Sequence, residues 1–434
     1  MIIIRLLCGV LSIALFALAL TPEQRDKNIK SFEYVWTTVR DKHWDPKLGG
    51  LNWQAVHDEL RPAIEKADSM EQARAVMSDM LGRLHQTHFG IIPAELYSEV
   101  DANGKKEEGG EQGSIGFDVR VAGSQVLVTS VEPGTPADKA GVRPGWELRK
   151  IGTQDIPGVI AKLDQKFKDS SLRQIIERRA VMSRLAADAN QDVTVEFLDG
   201  GNKPVTKTVK HAVPRGELTR FGYLWPTYVW IETGRVKTSA AAIGYARFNM
   251  FLDPPRIMGA FGDVVQSCTP CDGFIVDLRG NPGGLGAMAM GMAGWFIDTP
   301  GQRLGTLYMR ETSLNFVVNP RASVFTGPVA ILVDGASAST SEIFAGGLKD
   351  LKRARIFGTR TAAAALPSVI EKLPNGDGFQ FAIANYLSEG GQPLEGLGVI
   401  PDVEAAPTRE ALLQGKDPAQ DAAVHWIESQ RKHP

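Results

Sequence analysis

The sequence predicts a multidomain α/β protein with an N-terminal helical region, a small β-rich domain and a larger α/β core. Three observations support this prediction. The chain has 434 residues, more than a single domain usually contains. Apolar residues recur at helical spacing near the N-terminus, and alternating strands between Pro-Gly turns follow them. Further on, apolar strands alternate with helices, as expected where parallel strands are buried on both faces.

The composition is that of a globular protein. Apolar residues make up 43% of the chain and charged residues 23%, which are ordinary values, and the net charge is -2. Because no basic patch interleaved with aromatic residues appears, we expect no nucleic-acid partner. We also expect no cofactor and no metal.

The first twenty residues have the pattern of a secretory signal peptide. A cation, Arg5, precedes the apolar run from Leu6 to Leu20, and Ala17-Leu18-Ala19 offers a small-x-small cleavage site. An uncleaved membrane anchor is the alternative, although about 15 apolar residues are short for a membrane span. We therefore predict a signal peptide at 1–20 and an exported protein, periplasmic or extracellular, with membrane anchoring by an uncleaved N-terminus as the variant.

The cysteines beyond this segment, Cys268 and Cys271, enclose the short sequence Thr-Pro. In an exported chain they favour a structural disulfide or idle thiols. A redox motif and a metal site are the alternatives. No thioredoxin-like pattern surrounds the pair, and no second Cys or His pair lies nearby in the sequence.

Residues 21–100 are predicted to form a helical domain, since apolar residues follow helical spacing as far as LGRLHQTHFGIIP. Gly90 and Pro93 are expected to end the last helix. His85 and His88 lie at this end. A histidine in such a position is usually structural or solvent-facing, so position alone gives neither a catalytic role.

Residues 113–212 are predicted to be a small β-rich domain with two helices, a short one in TPADKAG and a longer one at about 170–187. The charged, Gly-rich segment 101–112 before it predicts a linker or an exposed loop. Within the domain, Gly113-Ser114-Ile115-Gly116-Phe117 and EPGTPADKAGVRPGW resemble a PDZ domain of the bacterial type.

The PDZ resemblance implies that Ser114, Ile115, Gly116 and Phe117 bind a peptide, with backbone N–H groups holding its terminal carboxylate. PDZ domains bind extended peptides by adding a strand to a sheet edge. The sequence Trp146-Glu147-Leu148 departs from the usual pattern. The alternative is a β domain that serves as a spacer or a lid.

Residues 215–407 are predicted to form the α/β core, followed by C-terminal helices at 408–434. The glycine-rich turn GNPGGLG follows the apolar strand of GFIVDLRG. Nucleotide binding is a weak interpretation, because the glycines do not have GxGxxG spacing and no Lys-Ser/Thr follows them. Alternatively, Gly283 and Gly284 expose backbone N–H groups to a neighbouring site that binds an oxyanion.

The segment VAILVDGASASTSEIFAGGLKD predicts a strand, a tight turn and a helix. A hydroxyl at such a junction lies beside the unpaired N–H groups of the helix start, which can stabilise an oxyanion. Ser339-Thr340-Ser341-Glu342 also fits a capping box, so Ser339 can be read as a helix cap instead. The residues alone do not say which of the three alternate serines is a nucleophile.

Taken together, the chain resembles a C-terminal processing (tail-specific) serine peptidase, a family with N-terminal helices, a PDZ domain and a crotonase-like α/β core. The specific motifs are GFIVDLRGNPGG and VDGASASTSEIFAGGLKD. The resemblance implies that Ser339 is the nucleophile. It also implies that the N–H groups of Gly283 or Gly284 and of Thr340 form the oxyanion hole.

One departure from the family separates this chain from the Ser-Lys peptidases. The position of the family's lysine falls on Ala364, in TAAAALPS, so a lysine base is not expected. The other branch of the family resembles the core of the tricorn protease and uses Ser, His and Glu. Thr87-His88 matches its histidine, with His85 as the rival base. Glu395, shortly before Gly398-Val399-Ile400-Pro401-Asp402, matches its glutamate.

The resemblance therefore implies an exported serine endopeptidase that cleaves protein or peptide substrates through an acyl-enzyme, at a site built from Ser339, His88 and Glu395. Glu395 would orient the base directly, through Thr87 or through a water. The PDZ domain would recognise or gate substrates. The alternatives are a lipophilic-ligand binding protein and a peptide-tail scaffold on the same fold. A homo-oligomer is left open.

Overall fold

The computed structural model describes residues 20–98, 112–168, 170–238, 240–268 and 270–431. The predicted signal peptide lies outside the described residues except for Leu20, and so does the predicted linker except for Gln112. Within the described part of the chain, no helix combines the length and apolar character needed to cross a membrane.

The N-terminal region packs three helices around a core of Phe32, Val35, Ile64 and Met77. Side chains of Thr21, Asn52 and Ser69 cap the three N-termini, which explains where the helices begin. The elements of this region are α1 (Pro22–Lys42), a 3₁₀ turn (Leu48–Gly50), α2 (Trp53–Lys66), α3 (Met70–Gly82), β1 (Gly90–Ile92) and α4 (Glu95–Ser98).

The expected end of the last helix was wrong. Helix α3 ends at Gly82 rather than at Gly90, and His85 and His88 lie in a loop with positive φ values of 52° and 60°. Gly90 begins strand β1, which pairs antiparallel with a distant strand of the core, Gly378–Ala382. Apolar residues keep helical spacing as far as Leu84, beyond the end of α3, so the sequence does not mark where the helix ends.

The second domain, which we call the β domain (residues 113–212), has a five-stranded main sheet in the order β2-β3-β4-β6-β7, with β5 paired to β4. Its strands are β2 (Phe117–Ala122), β3 (Gln125–Val131), β4 (Glu147–Ile151), β5 (Gln154–Asp155), β6 (Asp192–Leu198) and β7 (Pro204–Lys210). Its helices are α5 (Pro136–Lys139), α6 (Ile156–Phe167) and α7 (Arg173–Leu185).

Strand β2 is an edge strand, and α7 packs beside it. Two helices were expected, near α5 and α7, but α6 was missed. Asp155 caps α6 by accepting the Gly158 N–H, and Pro157 occupies its first turn, where proline is tolerated.

The core contains a six-stranded sheet in the order β10-β11-β12-β15-β16-β20, parallel except for β10. Its strands are β8 (Glu217–Phe221), β9 (Leu224–Val229), β10 (Ile231–Lys237), β11 (Ala242–Phe248), β12 (Gly273–Asp277), β13 (Arg303–Tyr308), β14 (Ser313–Val317), β15 (Val329–Val333), β16 (Arg355–Gly358), β17 (Ser368–Lys372), β18 (Gly378–Ala382), β19 (Asn385–Ser388) and β20 (Val403–Glu404). The helices are α8 (Pro254–Ser267), α9 (Gly286–Ala293), α10 (Thr340–Asp350), α11 (Arg409–Leu413) and α12 (Pro418–Ser429).

The two faces of this sheet are both covered, as the continuous apolar strands predict. Phe274, Val276 and Ile331 face a large core formed with α8, α9 and α10. Ile275 and Leu332 face a smaller core formed with α12. Strands β12 and β15 are parallel neighbours, so the loops at their carboxyl ends lie side by side. This arrangement brings the glycine turn GNPGGLG to residues 334–341, which contain the three alternate serines. We call residues 334–341 the serine segment.

The segment GFQFAIANYLS has the apolar character of a single strand. It forms two strands that belong to different sheets. Strand β18 pairs with β1 and β17, whereas β19 pairs with β13. The break falls at Ile383-Ala384, where the apolar run continues without a turn residue, so the sequence does not mark it.

The Sγ atoms of Cys268 and Cys271 are bonded to each other between α8 and β12. Cys268 is buried in the core, against Gly244. The structure therefore agrees with the structural disulfide among the alternatives considered for this pair.

Candidate active site

The three alternate serines after β15 have different environments. Ser337 and Ser341 are fully buried. The Ser337 hydroxyl donates to the Leu278 carbonyl oxygen (2.8 Å), and the Ser341 hydroxyl donates to the Asn281 carbonyl oxygen (2.9 Å). Ser339 is partly exposed, and its hydroxyl donates to no acceptor among the described residues. Only the Ser339 hydroxyl is therefore free to react.

Ser339 lies at the start of α10 with a backbone φ of 56°, an unfavourable value for a residue with a side chain. A capping box is present, and the Glu342 carboxylate accepts the Ser339 N–H (3.0 Å). The Glu342 N–H donates to the Ser339 carbonyl oxygen (2.8 Å), so it does not require the hydroxyl as its acceptor. The capping interpretation and a reactive hydroxyl are thus compatible.

The glycine turn lies directly against Ser339. A Cβ atom added to Gly283 would lie 2.8 Å from the Ser339 Cβ and 2.8 Å from the Thr340 nitrogen. Gly283 also has a φ of 97°, which a residue with a side chain rarely adopts. Glycine here therefore keeps open the space in front of the serine and the helix N-terminus.

The two predicted glycine donors differ in availability. The Gly283 N–H donates to Asn281 Oδ1 (2.9 Å). Within the described ranges, the N–H groups of Gly284 and Thr340 have no protein acceptor. The Thr340 hydroxyl donates to the Gly284 carbonyl oxygen (2.8 Å), which holds the two residues together. The free donors at this point are thus Gly284 and Thr340.

A histidine, a threonine and a glutamate form a hydrogen-bonded chain beside this segment. The Thr87 hydroxyl donates to Glu395 Oε2 (2.8 Å) and lies 2.7 Å from His88 Nδ1. Because the hydroxyl has a single proton, it must accept the hydrogen bond from a protonated Nδ1. This assignment leaves Nε2 of a neutral His88 unprotonated.

Burial shifts the pKa values of both ionisable groups in this chain. Part of His88 reaches solvent, yet its ring is enclosed enough that desolvation lowers its pKa to about 4. Desolvation raises the pKa of Glu395, while hydrogen bonds from Thr87 and Ala365 oppose that shift. His85 is exposed, and its ring makes no hydrogen bond with the described residues. The pair Thr87-Glu395 therefore orients His88 and not His85.

The segment that the resemblance aligns with the lysine of the Ser-Lys peptidases connects the serine with Glu395. We call residues 361–365 the alanine segment. The Ser339 N–H donates to the Ala364 carbonyl oxygen (2.8 Å), and the Ala365 N–H donates to Glu395 Oε2 (3.0 Å). No hydrogen bond joins Ser339 and His88 within the described chain. The backbone of the alanine segment therefore links Ser339 to Glu395, the carboxylate that is hydrogen-bonded through Thr87 to His88.

Glu342 was considered only as part of a capping box, yet it anchors the alanine segment. This fully buried carboxylate accepts hydrogen bonds from the Thr361 hydroxyl (2.6 Å) and from the N–H groups of Ala363 (2.8 Å) and Ala364 (3.0 Å), besides that of Ser339. Burial raises its pKa to about 7, while these hydrogen bonds oppose the shift. The only signal in the sequence was the acidic residue after the third serine.

The predicted peptide-binding residues lie apart from Ser339, in the β domain. Gly116 has a φ of 86°, and its N–H donates to the Ser114 hydroxyl (3.1 Å). Ser114 exchanges backbone hydrogen bonds with Ala212, which fixes the start of the loop. Ser114, Ile115 and Phe117 line a cavity of about 280 Å³, together with Met182 and Leu185 of α7 and with Tyr228 and Trp230 of the core.

Helix α7 connects the β domain to the serine segment. At its first turn, Leu172 and Ile175 pack against Ala338, Ala362 and Ala364. Beside them, Arg120 of β2 donates to Asp334 of the turn after β15 (2.7 Å). One end of α7 thus contacts the serine segment, and the other lines the cavity described above.

Comparisons with known proteins agree with this architecture. Residues 242–405 match the model of peptidase family S41, and residues 26–82 match the model of the tricorn protease C1 domain. A carboxyl-terminal-processing protease of Synechocystis sp. is 25% identical over 398 residues, which are 89% of this chain and 82% of that protein.

Two solved structures have the same fold. The photosystem II D1 C-terminal processing protease superposes with a TM-score of 0.57 at 23% identity, covering 92% of this chain and 99% of that chain. Mature CPAF superposes with a TM-score of 0.64 at 13% identity, covering 94% of this chain and 99% of that chain. Residues 242–405 therefore form a domain of the peptidase family S41 type, and the chain is similar to carboxyl-terminal processing proteases.

Proposed function

We propose that this protein is an exported serine endopeptidase that cleaves protein substrates with Ser339, His88 and Glu395. The observation that carries the proposal is the chain Glu395–Thr87–His88, which leaves His88 Nε2 as an acceptor in the region of the free Ser339 hydroxyl. A general base needs this form, with its other nitrogen held by an oriented partner.

In the proposed reaction, His88 Nε2 removes the Ser339 proton while the Oγ atom attacks the carbonyl carbon of the scissile peptide bond. The N–H groups of Gly284 and Thr340 stabilise the oxyanion that forms. Collapse of the tetrahedral intermediate breaks the C–N bond, and His88 returns the proton to the leaving amine. Water then hydrolyses the acyl-enzyme with the same base, releasing the new carboxylate and regenerating Ser339.

The missing hydrogen bond between Ser339 and His88 is compatible with this mechanism. Catalytic hydrogen bonds are often long without substrate and tighten in the bound complex. Helix α7 contacts the alanine segment and the residue before Ser339, so a movement of the β domain would change this region. We therefore propose that the β domain gates the site.

The same domain is proposed to recognise substrate tails. Gly116 supplies a turn with positive φ, and the loop borders an edge strand, the arrangement used when a peptide adds a strand to a sheet. The cavity of about 280 Å³ at this loop suits one apolar side chain. Export is proposed from the signal-like residues 1–20 and agrees with the disulfide between Cys268 and Cys271.

The proposal is tested by hydrolysis of an unfolded protein substrate, with the products mapped by mass spectrometry. The wild type is expected to release peptides, while Ser339→Ala and His88→Ala lose this activity with unchanged thermal stability. His85→Ala is the matched control, because His85 is exposed and outside the hydrogen-bonded chain. Equal activity of wild type and Ser339→Ala would refute the proposal. A folded but inactive wild type would favour a binding protein or scaffold.

A further inference from the structure

We propose that three alanines beside Ser339 form an apolar subsite for a substrate side chain, which Leu172 and Ile175 of the β domain occupy in the resting enzyme. We call Ala338, Ala362 and Ala364 the alanine subsite. The inference rests on the proposed function, since it takes Ser339 as the nucleophile.

The alanine subsite is adjacent to the reacting group. Ala338 directly precedes Ser339, and the Ala364 carbonyl oxygen accepts the Ser339 N–H at 2.8 Å. The Ala362 N–H donates to the Ser337 carbonyl oxygen at 3.0 Å, so both segments are joined by backbone hydrogen bonds. A peptide held with its scissile bond at Ser339 would therefore place a neighbouring side chain against these alanines.

The chemistry of this surface selects an apolar group. The Ala363 and Ala364 N–H groups are already bound to the Glu342 carboxylate, and the Ala364 carbonyl oxygen is bound to Ser339. The alanine subsite therefore presents methyl groups toward α7. One of them belongs to Ala364, the position that the resemblance aligns with the lysine of the Ser-Lys peptidases. A charged side chain would lose its hydration here without gaining a partner.

In this structure, side chains at the start of helix α7 fill the alanine subsite. Leu172 and Ile175 pack on the three alanines, which are at most 5% exposed as a result. Gln174, between them, lies so close to Gly335 that a Cβ atom there would be 1.9 Å from its Oε1 atom. A substrate side chain and the first turn of α7 cannot both fill this space.

A buried ion-pair chain holds this contact closed. Arg178 of α7 donates to Asp118 (2.9 Å), and Arg120 donates both to Asp118 (2.8 Å) and to Asp334 (2.7 Å). Asp334 also accepts the Gly280 N–H (3.0 Å) in the turn before Asn281. Opening the subsite therefore requires separating Arg120 from Asp334, which couples access to the position of the β domain.

The first test measures the rate at which a fluorophosphonate labels Ser339 in the full chain. In Leu172→Ala/Ile175→Ala the rate is expected to rise about tenfold, the order seen when a minor open state becomes dominant. Leu163→Ala is the matched control, because this residue packs inside the β domain on α6. It should label at the wild-type rate, and thermal melting checks the fold of each variant.

The outcomes separate this inference from the proposed function. Equal labelling rates in the wild type and in the double variant would overturn the inference alone. An equal rise in Leu163→Ala would also overturn it, since general loosening of the β domain would then be the cause. Absence of labelling in every folded variant would overturn the proposed function, and this inference with it.

The second test measures specificity with peptides that carry Leu, Ala or Lys beside the scissile bond. The wild type is expected to cleave the Leu peptide roughly tenfold faster than the Lys peptide, in kcat/KM. Ala364→Val narrows the subsite without adding charge, so the preference for Leu over Ala should fall. A Leu-to-Ala ratio that Ala364→Val leaves unchanged would contradict the assignment of this subsite.

Discussion

At the scale of single residues, the Thr87 hydroxyl links Glu395 to the proposed base, His88. The resemblance to tricorn-type peptidases left three routes open: direct contact, Thr87 or a water. The structure places the Thr87 hydroxyl 2.8 Å from Glu395 Oε2 and 2.7 Å from His88 Nδ1. Sequence could not choose among these routes, because Glu395 lies 308 residues from Thr87. The two segments meet only through the pairing of β1 with β18 and the loop before β20.

Thr87→Val should lower kcat by roughly 100-fold, within the range that a positioned general base contributes. The valine keeps the shape but removes the hydroxyl that fixes the His88 tautomer. Thr87→Ser, which retains the hydroxyl, should recover most of the activity. Steady-state hydrolysis of one peptide by the three proteins measures the effect, and equal kcat in Thr87→Val and wild type would remove Thr87 from the mechanism.

The pH dependence of kcat/KM should follow His88. The base works only when unprotonated, and burial lowers its pKa to about 4. Activity is therefore expected to be fully present above this pKa and to be lost as the pH falls through about 4. A pH–rate profile on a substrate without ionisable groups tests this. An acid limb centred near the ordinary histidine pKa of about 6.5 would show that the ring is solvated in the active state.

At the scale of elements, the structure shows how α10 and the alanine segment depend on one carboxylate. Glu342 accepts four hydrogen bonds from these two elements and is fully buried. Its pKa is raised to about 7 by burial. The sequence predicted α10 correctly, but it could not show this second partner, because the alanine segment has no polar side chain except Thr361 to signal a contact.

Glu342→Gln should destabilise the protein and slow Ser339 labelling. A glutamine must present its NH₂ group to at least one backbone N–H, leaving a buried donor without an acceptor at a cost of about 1–3 kcal/mol. Glu217→Gln is the matched control, since Glu217 is exposed in β8. Thermal melting and fluorophosphonate labelling measure both effects. A stable, fully labelled Glu342→Gln would contradict the anchoring role.

Apart from α6, whose cap Asp155 is local, the elements that sequence reasoning missed depend on distant partners. The apolar spacing of α1 and α2 is local, and the helical region that contains them was predicted. Strand β1 is three residues long and exists because β18 pairs with it. The positive φ values at His85 and His88 likewise have no glycine to announce them.

At the scale of the whole molecule, the β domain connects the cavity of about 280 Å³, which is the proposed site for a peptide tail, with the region around Ser339. Gly116 is the residue that tests the tail site most specifically. A Cβ atom there would lie 2.3 Å from the Thr135 side chain, and its φ is 86°. The PDZ resemblance identified this loop, whereas its link to the serine segment through α7 depends on how the domains pack, which local pattern cannot reveal.

Gly116→Ala should weaken binding of a peptide with an apolar C-terminal residue by at least roughly tenfold, since the loop must shift to relieve the contact. Gly123→Ala is the matched control: its φ is also positive, at 60°, but its Cβ would meet nothing within 4 Å. Fluorescence anisotropy measures the affinities. Equal weakening in both variants would show that backbone strain, rather than the shape of the loop, caused the loss.

The central claim is that Ser339 is an activated nucleophile. Intact-mass analysis of the folded protein after reaction with a fluorophosphonate tests it most directly. We predict one adduct on the wild type, none on Ser339→Ala, and a strongly slowed reaction in His88→Ala. An unlabelled wild type, or an adduct that persists in Ser339→Ala, would contradict the account.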